Sequence, residues 1–253
     1  MSLLEVRGVT RSFYGVHALN GVDIDVEAGK LTGLIGPNGA GKTTLFNCIS
    51  GLIPADGGSI RFDGSEITHM RPDQVTGRGL VKTFQIARGF PRLTVLENLL
   101  LYGPDQPGEH VMAALTRSRS ALARERQIMA RAFEIAAMLN LTRVLNNKAS
   151  DLSGGQKKLL EIGRALMSEP KLILLDEPAA GVNPTLVREI GERLRAIVAS
   201  GITLLLIEHQ MDLIARLCDH VIVMAEGQRL MEGSFDEVAN NLEVQQAYMG
   251  RRS

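Results

Sequence analysis

The amino-acid sequence predicts an α/β fold, on three observations. Short continuous apolar runs at 31–36, 171–177 and 202–208 have the composition of strands that are buried on both faces. A glycine-rich loop follows the first run and leads into a helical stretch. Residues 109–141 repeat apolar side chains at helical spacing. Strands and helices that alternate in this way are typical of a parallel sheet covered by helices.

A second, antiparallel sheet is predicted near the N-terminus. Residues 3–28 alternate apolar and polar side chains, as half-exposed antiparallel strands do, and residues 58–64 repeat that pattern. Residues 220–233 are expected to form a closing hairpin with Gly227 near its turn. Part of the chain is therefore expected to lie outside the strand–helix alternation.

The helical region at 109–141 follows a predicted exposed loop at 103–109. Its basic residues between Arg117 and Arg131 are interpreted as a solvated helix face. The predicted buried stripe of the helix consists of Leu122, Met129, Phe133, Ala136 and Leu139.

Composition narrows the class of protein. The 253 residues include 28 Lys plus Arg and 28 Asp plus Glu, a balance that argues against a dedicated nucleic-acid binder. Cys48 and Cys218 lie in apolar surroundings and are expected to be buried thiols, as in a reducing compartment. The first residues lack the pattern of a signal peptide, and no apolar run approaches the ~18 residues of a membrane span. Any role at a membrane is therefore expected to involve a partner.

The loop after the first buried run carries a phosphate-binding pattern. Gly36, Gly41, Lys42 and Thr43 fit Gly-x-x-x-x-Gly-Lys-Thr. Backbone N–H groups would surround the phosphates of a nucleotide, Lys42 would add a positive charge, and the Thr43 hydroxyl would bind Mg²⁺. A dinucleotide-binding turn is excluded because its third position, Asn38, is not glycine. The predicted phosphate loop comprises Gly36, Pro37, Asn38, Gly39, Ala40, Gly41, Lys42, Thr43 and Thr44.

Two acidic residues end the second buried run. Asp176 and Glu177 precede Pro178, so they are either solvated acids at a strand end or the acidic half of a nucleotide site. After a phosphate loop, an aspartate at the end of a buried strand typically serves Mg²⁺. The next residue, Glu177, would then polarise the attacking water.

A second glycine-rich helix start lies at 151–167. Ser153 and Gln156 have the spacing of a capping box, in which each side chain satisfies a free backbone N–H. Such a box does not need Gly154 and Gly155, and glycine lowers helix stability by up to about 1 kcal/mol. Bare backbone at a helix N-terminus suits an approaching anion, so an anion-binding role is favoured over capping alone.

These motifs together resemble the ATP-binding cassette ATPase family over essentially the whole chain. The motifs are the phosphate loop, "LSGGQ" at 152–156, "LILLDEP" at 172–178 and a histidine after the next strand, His209. The resemblance implies a P-loop NTPase fold with a RecA-like core whose sheet is mixed and mostly parallel, an antiparallel N-terminal β subdomain and an inserted α-helical subdomain. The implied division of the single cassette is a core at about 1–86 and 153–235, a helical subdomain at about 87–152 and a helical tail at about 236–253.

The same resemblance implies the site. ATP and Mg²⁺ are the expected cofactors, with Thr43, Gln85 and Asp176 at the metal. Two cassettes pack head to tail in this family, so Leu152, Ser153, Gly154, Gly155 and Gln156 would contact ATP held by a partner's phosphate loop. Gln85 and His209 would sense the γ-phosphate, and Lys42, Glu177 and His209 would be catalytic. Phe13 matches the aromatic platform for adenine, with its neighbour Tyr14 as the alternative.

Finer matches resemble the ATPase subunits of bacterial branched-chain amino acid importers. They include "TFQ" with "LTVLENLL", "LLIEHQMDLI" and the ending "YMG", although Asn183 stands where the wider family usually has aspartate. The implied partners are a second cassette, identical or different, two transmembrane permease subunits and, indirectly, a periplasmic substrate-binding protein. Nucleic acid is not an expected partner.

The implied location is cytoplasmic, on the inner face of the cell membrane. An ATPase for lipopolysaccharide export or urea import shares most of these motifs and stays open as an alternative. A cassette acting on ribosomes or DNA, or an ordinary P-loop kinase, fits the motifs less well.

Overall fold

The computed structural model describes residues 2–83, 90–104 and 119–249, with the side chains of residues 119 and 120 left aside. Gln85, the predicted γ-phosphate sensor, lies outside the described residues. In the part of the chain that is described, no helix is long and apolar enough to cross a bilayer.

A four-stranded antiparallel sheet forms the N-terminal side of the molecule, as its alternating sequence predicts. Its strand order is β2-β1-β4-β5. The strands are β1 Ser2–Phe13, β2 Val16–Glu27, β4 Gly57–Phe62 and β5 Ser65–Glu66. Neighbouring strands in this sheet pair antiparallel throughout.

The second sheet has six strands and is mostly parallel. Its strands are β3 Leu31–Ile35, β6 Leu80–Lys82, β7 Leu172–Asp176, β8 Thr203–Ile207, β9 His220–Ala225 and β10 Gln228–Gly233. The order is β10-β9-β3-β8-β7-β6, and only the β9–β10 hairpin pairs antiparallel. Glu226 and Gly227 both have positive φ at the turn of that hairpin, as a tight two-residue hairpin turn requires. The predicted hairpin and the three predicted buried strands are confirmed.

Helices connect the strands and cover the second sheet. The α-helices are α1 Lys42–Ile49, α2 Pro72–Gly77, α3 Val95–Leu100, α4 Arg119–Met138, α5 Gly154–Met167, α6 Pro184–Ala199, α7 Met211–Leu217, α8 Phe235–Ala239 and α9 Leu242–Met249. Two 3₁₀ turns, Thr142–Val144 and Ala149–Asp151, lead from α4 toward α5.

Two hydrophobic cores lie on the two faces of the six-stranded sheet. One core joins this sheet to the antiparallel sheet and α1, and the other joins it to the helices α3 to α7. In β7, Leu172 and Leu174 enter the first core while Ile173 and Leu175 enter the second. Successive side chains of a strand point to opposite faces, so β7 is buried on both sides up to Asp176 at its end.

The buried face of α4 differs from the predicted stripe. Ala136, in the helix, and Leu139, just after it, are buried as predicted, but Leu122, Met129 and Phe133 are exposed. The residues that pack inward from α4 are instead Ala121, Ile128, Ala132, Ile135 and Ala136. The alanines on this face let the helix lie close to α3 and α5. Packing against these two helices therefore determines which of the two apolar faces of α4 is buried.

Cys48 is buried as predicted, and Cys218 is only partly buried. Burial raises the pKa of the Cys48 thiol to about 11 and that of Cys218 to about 12, so both thiols are protonated at neutral pH.

Candidate functional site

The phosphate loop, Gly36–Thr44, runs from the end of β3 to the first turn of α1. Gly36 and Gly41 have φ of 148° and 97°. A Cβ on Gly36 would lie 2.1 Å from the Met224 carbonyl oxygen, and one on Gly41 would lie 2.5 Å from that of Ala18. Both positions therefore require glycine for two independent reasons. Their positive φ is a conformation that glycine adopts readily and other residues rarely do, and a neighbouring backbone segment leaves no room for a side chain.

The helix that follows this loop starts without a side-chain cap. Gly41 is the N-cap residue of α1 and offers no side chain to the free N–H groups. The first intrahelical bond runs from Leu45 N–H to the Gly41 carbonyl over 2.9 Å. The N–H groups of Lys42, Thr43 and Thr44 precede that bond, so the first turn forms a donor-rich, positively polarised end suited to phosphate.

Lys42 lies buried against the loop. Its Nζ donates hydrogen bonds to the carbonyls of Gly36 over 2.7 Å and Pro37 over 2.9 Å. Burial lowers the pKa of this ammonium, while the nearby carboxylates of Glu177 and Asp176 favour its charged form. The loop and the two acidic residues predicted from distant parts of the sequence thus meet at one place.

Asp176 ends β7 and is only 6% exposed. Burial raises the pKa of its carboxyl, whereas Lys82 and Lys42 favour the charged form. The Lys82 Nζ lies 3.9 Å from Asp176 Oδ2 and donates to Asn47 Oδ1 over 2.5 Å. Lys82 and Asn47 were missed at the sequence level. The signal that could have identified Lys82 is a lysine directly after the apolar strand residues Leu80 and Val81.

Glu177 and His209 form a direct contact across the ends of two neighbouring strands. The register pairs Asp176 of β7 with Ile207 of β8, so the loops after the strands begin side by side. The His209 Nε2 and Glu177 Oε1 atoms are 3.0 Å apart. Glu177 has a φ of 51°, an uncommon conformation for a residue with a side chain. Such strain recurs at functional sites, where the surroundings hold a side chain in place.

The signature turn, Ser153–Gln156, begins α5 with a complete capping box. Ser153 Oγ accepts from Gln156 N–H over 3.3 Å, and Gln156 Oε1 accepts from Ser153 N–H over 3.0 Å. Gly154 is exposed, and a Cβ there would meet nothing within 4 Å. A Cβ on Gly155 would lie 1.9 Å from a methyl carbon of Leu186 in α6. The two glycines therefore differ, because Gly155 serves internal packing and only Gly154 presents open backbone.

Among the residues that the structure describes, no hydrogen bond joins residues 153–156 to residues 36–44. Leu152, the first residue of the motif, is buried in the core beneath the turn. Asn183 caps α6 by accepting from Leu186 N–H over 3.0 Å.

The two aromatic candidates at the end of β1 have different surroundings. Phe13 is partly buried, and the Arg11 guanidinium lies over its ring at 4.8 Å from the centroid. Arg11 is itself held by Asp56 over 2.7 Å. Tyr14 occupies the turn with a φ of 49° and is fully exposed. Phe13 therefore has the more fixed ring.

Comparison with known proteins agrees with this geometry. The family model described as "ABC transporter" matches residues 19–180. A probable branched-chain amino acid transport ATP-binding protein LivG from Archaeoglobus fulgidus is 41% identical and covers 99% of this chain and 96% of its own length. The high-affinity branched-chain amino acid transport ATP-binding proteins BraF of Pseudomonas aeruginosa and LivG of Escherichia coli K12 are 39% and 35% identical, each over 98% of both chains.

Solved structures of ATP-binding cassettes superpose on this chain. The ADP conformation of an ATP-binding cassette of an ABC transporter superposes with a TM-score of 0.86 at 40% identity, covering 99% of this chain and 100% of that one. A dimeric, post-hydrolysis cassette bound to ADP and Pi superposes with a TM-score of 0.73 at 25% identity, covering 92% and 98%.

Proposed function

Because this chain belongs to the ABC transporter family and is an ATPase with the P-loop cassette fold, we propose that it drives import of branched-chain amino acids. The observation that supports this cargo is that relatives named for branched-chain amino acid transport match nearly the full length of both chains. The location proposed for it is the inner face of the cell membrane, bound to two permease subunits.

The nucleotide site is proposed to lie along the phosphate loop. The N–H groups at the start of α1 and the Lys42 ammonium would hold the β- and γ-phosphates, and Phe13 would stack on adenine. Thr43 and Asp176 offer a hydroxyl and a carboxylate, the hard oxygen donors that Mg²⁺ takes, and the buried Asp176 carboxylate favours the charged form of Lys42 in the loop. Bound there with Gln85, Mg²⁺ would neutralise charge on the transferred phosphoryl group.

Glu177 is proposed to orient and polarise the attacking water. Its carboxylate is held 3.0 Å from His209, whose ring would also reach the γ-phosphate. Phosphoryl transfer needs little covalent assistance, so positioned charges and hydrogen bonds carry most of the rate enhancement. The meeting of Lys42, Asp176, Glu177 and His209 at one edge of the sheet supports these roles.

The signature turn is proposed to bind ATP held by a second cassette. Its capping box satisfies the N–H groups of Ser153 and Gln156 only, and its exposed Gly154 leaves room for an incoming phosphate. A cassette with the same fold is known as a dimer with ADP and Pi. The partner would be a second copy or a related cassette. The chain is further proposed to divide into a core at about 1–86 and 153–235, a helical subdomain at about 87–152 and a helical tail at about 236–253.

Transport itself provides the test. Cells that express the chain together with permease subunits and a substrate-binding protein of this importer type should take up labelled leucine, isoleucine or valine. Uptake should fail when Glu177→Gln replaces the wild type. Labelled urea serves as the control cargo. Uptake of urea but not of branched-chain amino acids would overturn the proposed cargo while leaving the ATPase assignment in place.

A further inference from the structure

Glu208, the residue before His209, is a buried carboxylate with no part in the reaction described above. It is only 3% exposed, at the end of β8. Its Oε1 accepts from Ala179 N–H over 2.8 Å and its Oε2 accepts from His209 N–H over 3.1 Å. A buried carboxylate costs free energy unless its hydrogen bonds are satisfied, and here they are satisfied by two different loops.

Gln210, the residue after His209, also forms a hydrogen bond with Ala179. Gln210 Nε2 donates to the Ala179 carbonyl over 3.4 Å. Side chains on both sides of His209 therefore hold the N–H and the carbonyl of one residue, Ala179. We call this arrangement of Glu208, Gln210 and Ala179 the Ala179 clamp.

The clamp joins the two loops that carry the reacting side chains. Ala179 lies two residues after Glu177, and Glu208 and Gln210 flank His209. The last backbone bond between the two strands runs from Glu177 N–H to the Ile207 carbonyl over 3.0 Å. The clamp joins the two loops just beyond that bond. The contact of 3.0 Å between His209 Nε2 and Glu177 Oε1 is made inside this frame.

We propose that Glu208 is a positioning residue that holds His209 against Glu177 through the Ala179 clamp. The inference rests on the proposed roles of Glu177 and His209. Glu208 acts as a carboxylate because both of its oxygens accept from N–H groups, and the amide introduced by E208Q would place a donor against one of them. A displacement of about 1 Å at reacting groups is enough to slow catalysis about 100-fold.

The test compares E208Q, H209A and the double variant in steady-state ATP hydrolysis. E208Q should lower kcat roughly 10-fold or more with KM within about 2-fold, because the phosphate loop and Phe13 are proposed to make most of the contacts to ATP. If Glu208 acts through His209, the double variant should be no slower than H209A alone. Multiplied effects in the double variant, or an E208Q with wild-type kcat, would overturn the proposal.

Two further variants separate positioning from folding. E237Q is the matched control, since Glu237 also accepts a backbone hydrogen bond, from Ser234 N–H over 2.7 Å, but in the capping box of α8. It should leave kcat unchanged. Q210A removes the weaker arm of the clamp, so it should lower kcat a few-fold, again without effect in the H209A background, even if E208Q folds poorly. An H209A variant with full activity would instead refute the proposed role of His209, and with it the inference.

Discussion

Two helices of this chain begin at glycine-rich turns, and the turns meet their backbone hydrogen-bonding needs in opposite ways. At α1, the N-cap is Gly41, and no side chain caps the helix. At α5, Ser153 and Gln156 cap each other. No side chain caps the free N–H groups at the start of α1, whereas the capping box at α5 satisfies the N–H groups of Ser153 and Gln156.

The glycines of the two turns also differ in what requires them. Gly36 and Gly41 have positive φ and touch neighbouring backbone, so the phosphate loop cannot form without them. Leu186 requires a glycine at position 155, whereas none of the described residues lies within 4 Å of a Cβ built on Gly154. The open space at Gly154 is consistent with the proposed contact to a partner's nucleotide.

The largest expected effect tests whether Glu177 is the catalytic residue for the ATP that the phosphate loop is proposed to hold. Glu177→Gln should retain ATP binding and lose turnover by a factor of about 10²–10⁴, the usual contribution of a general base. ATPase rate and nucleotide affinity are measured on the same preparation. Turnover that survives within a few-fold would remove Glu177 from that role.

The second prediction tests whether the two turns work in different chains. In the Glu177→Gln background, Lys42→Ala and Ser153→Arg should each weaken ATP-dependent dimerisation by about 10-fold or more, since hydrogen bonds to charged groups contribute about 1.5–3 kcal/mol. Mixing the two variants should restore dimers, because a mixed pair has one intact phosphate loop facing one intact signature turn.

Analytical ultracentrifugation of each variant and of the mixture gives the measurement, with thermal melting as the check on folding. A mixture that dimerises no better than its components would place both turns of one site in the same chain. If the natural partner is a different cassette, the two substitutions are divided between the two chains.

The third prediction tests which aromatic residue stacks on the adenine of ATP held by the phosphate loop. Phe13→Ala should weaken ATP binding by about 1–3 kcal/mol, the range for stacking on a base, and by more than Tyr14→Ala does. The reason is that Arg11 already fixes the Phe13 ring, whereas the Tyr14 side chain lies in solvent. Fluorescent-nucleotide titration of both variants measures the difference. The reverse ranking would make Tyr14 the platform.

The smallest effects separate the two glycines of the signature turn. Gly155→Ala should destabilise the fold by about 1–3 kcal/mol through overpacking against Leu186, and Leu186→Ala should relieve that clash in the double variant. Gly154→Ala should leave stability unchanged or raise it by up to about 1 kcal/mol, yet weaken ATP-dependent dimerisation. Chemical denaturation measures the first effect. Unchanged dimerisation in Gly154→Ala would contradict an external ligand at this turn.

Sequence patterns were sufficient where local chemistry decides the structure. The phosphate loop, the capping box at Ser153, the hairpin turn at Gly227 and the buried strands each follow from residue types at fixed spacing. The face of α4 did not follow, because its helix has two apolar faces and the neighbouring α3 and α5 selected the one with smaller side chains. Lys82 and Glu208 were missed because their roles depend on residues that are distant in sequence, Asn47, Asp176 and Ala179.

The burial of β7 on both faces has a consequence for how this protein can evolve. Every position from Leu172 to Asp176 is enclosed, so a saturation library should accept only apolar replacements of similar volume at Leu172, Ile173, Leu174 and Leu175. In β1, by contrast, Arg7 is exposed and Glu5 is half-buried, so these positions should accept most residues. Sequence variation that leaves the fold intact is therefore expected to collect in the exposed positions of β1 rather than in β7.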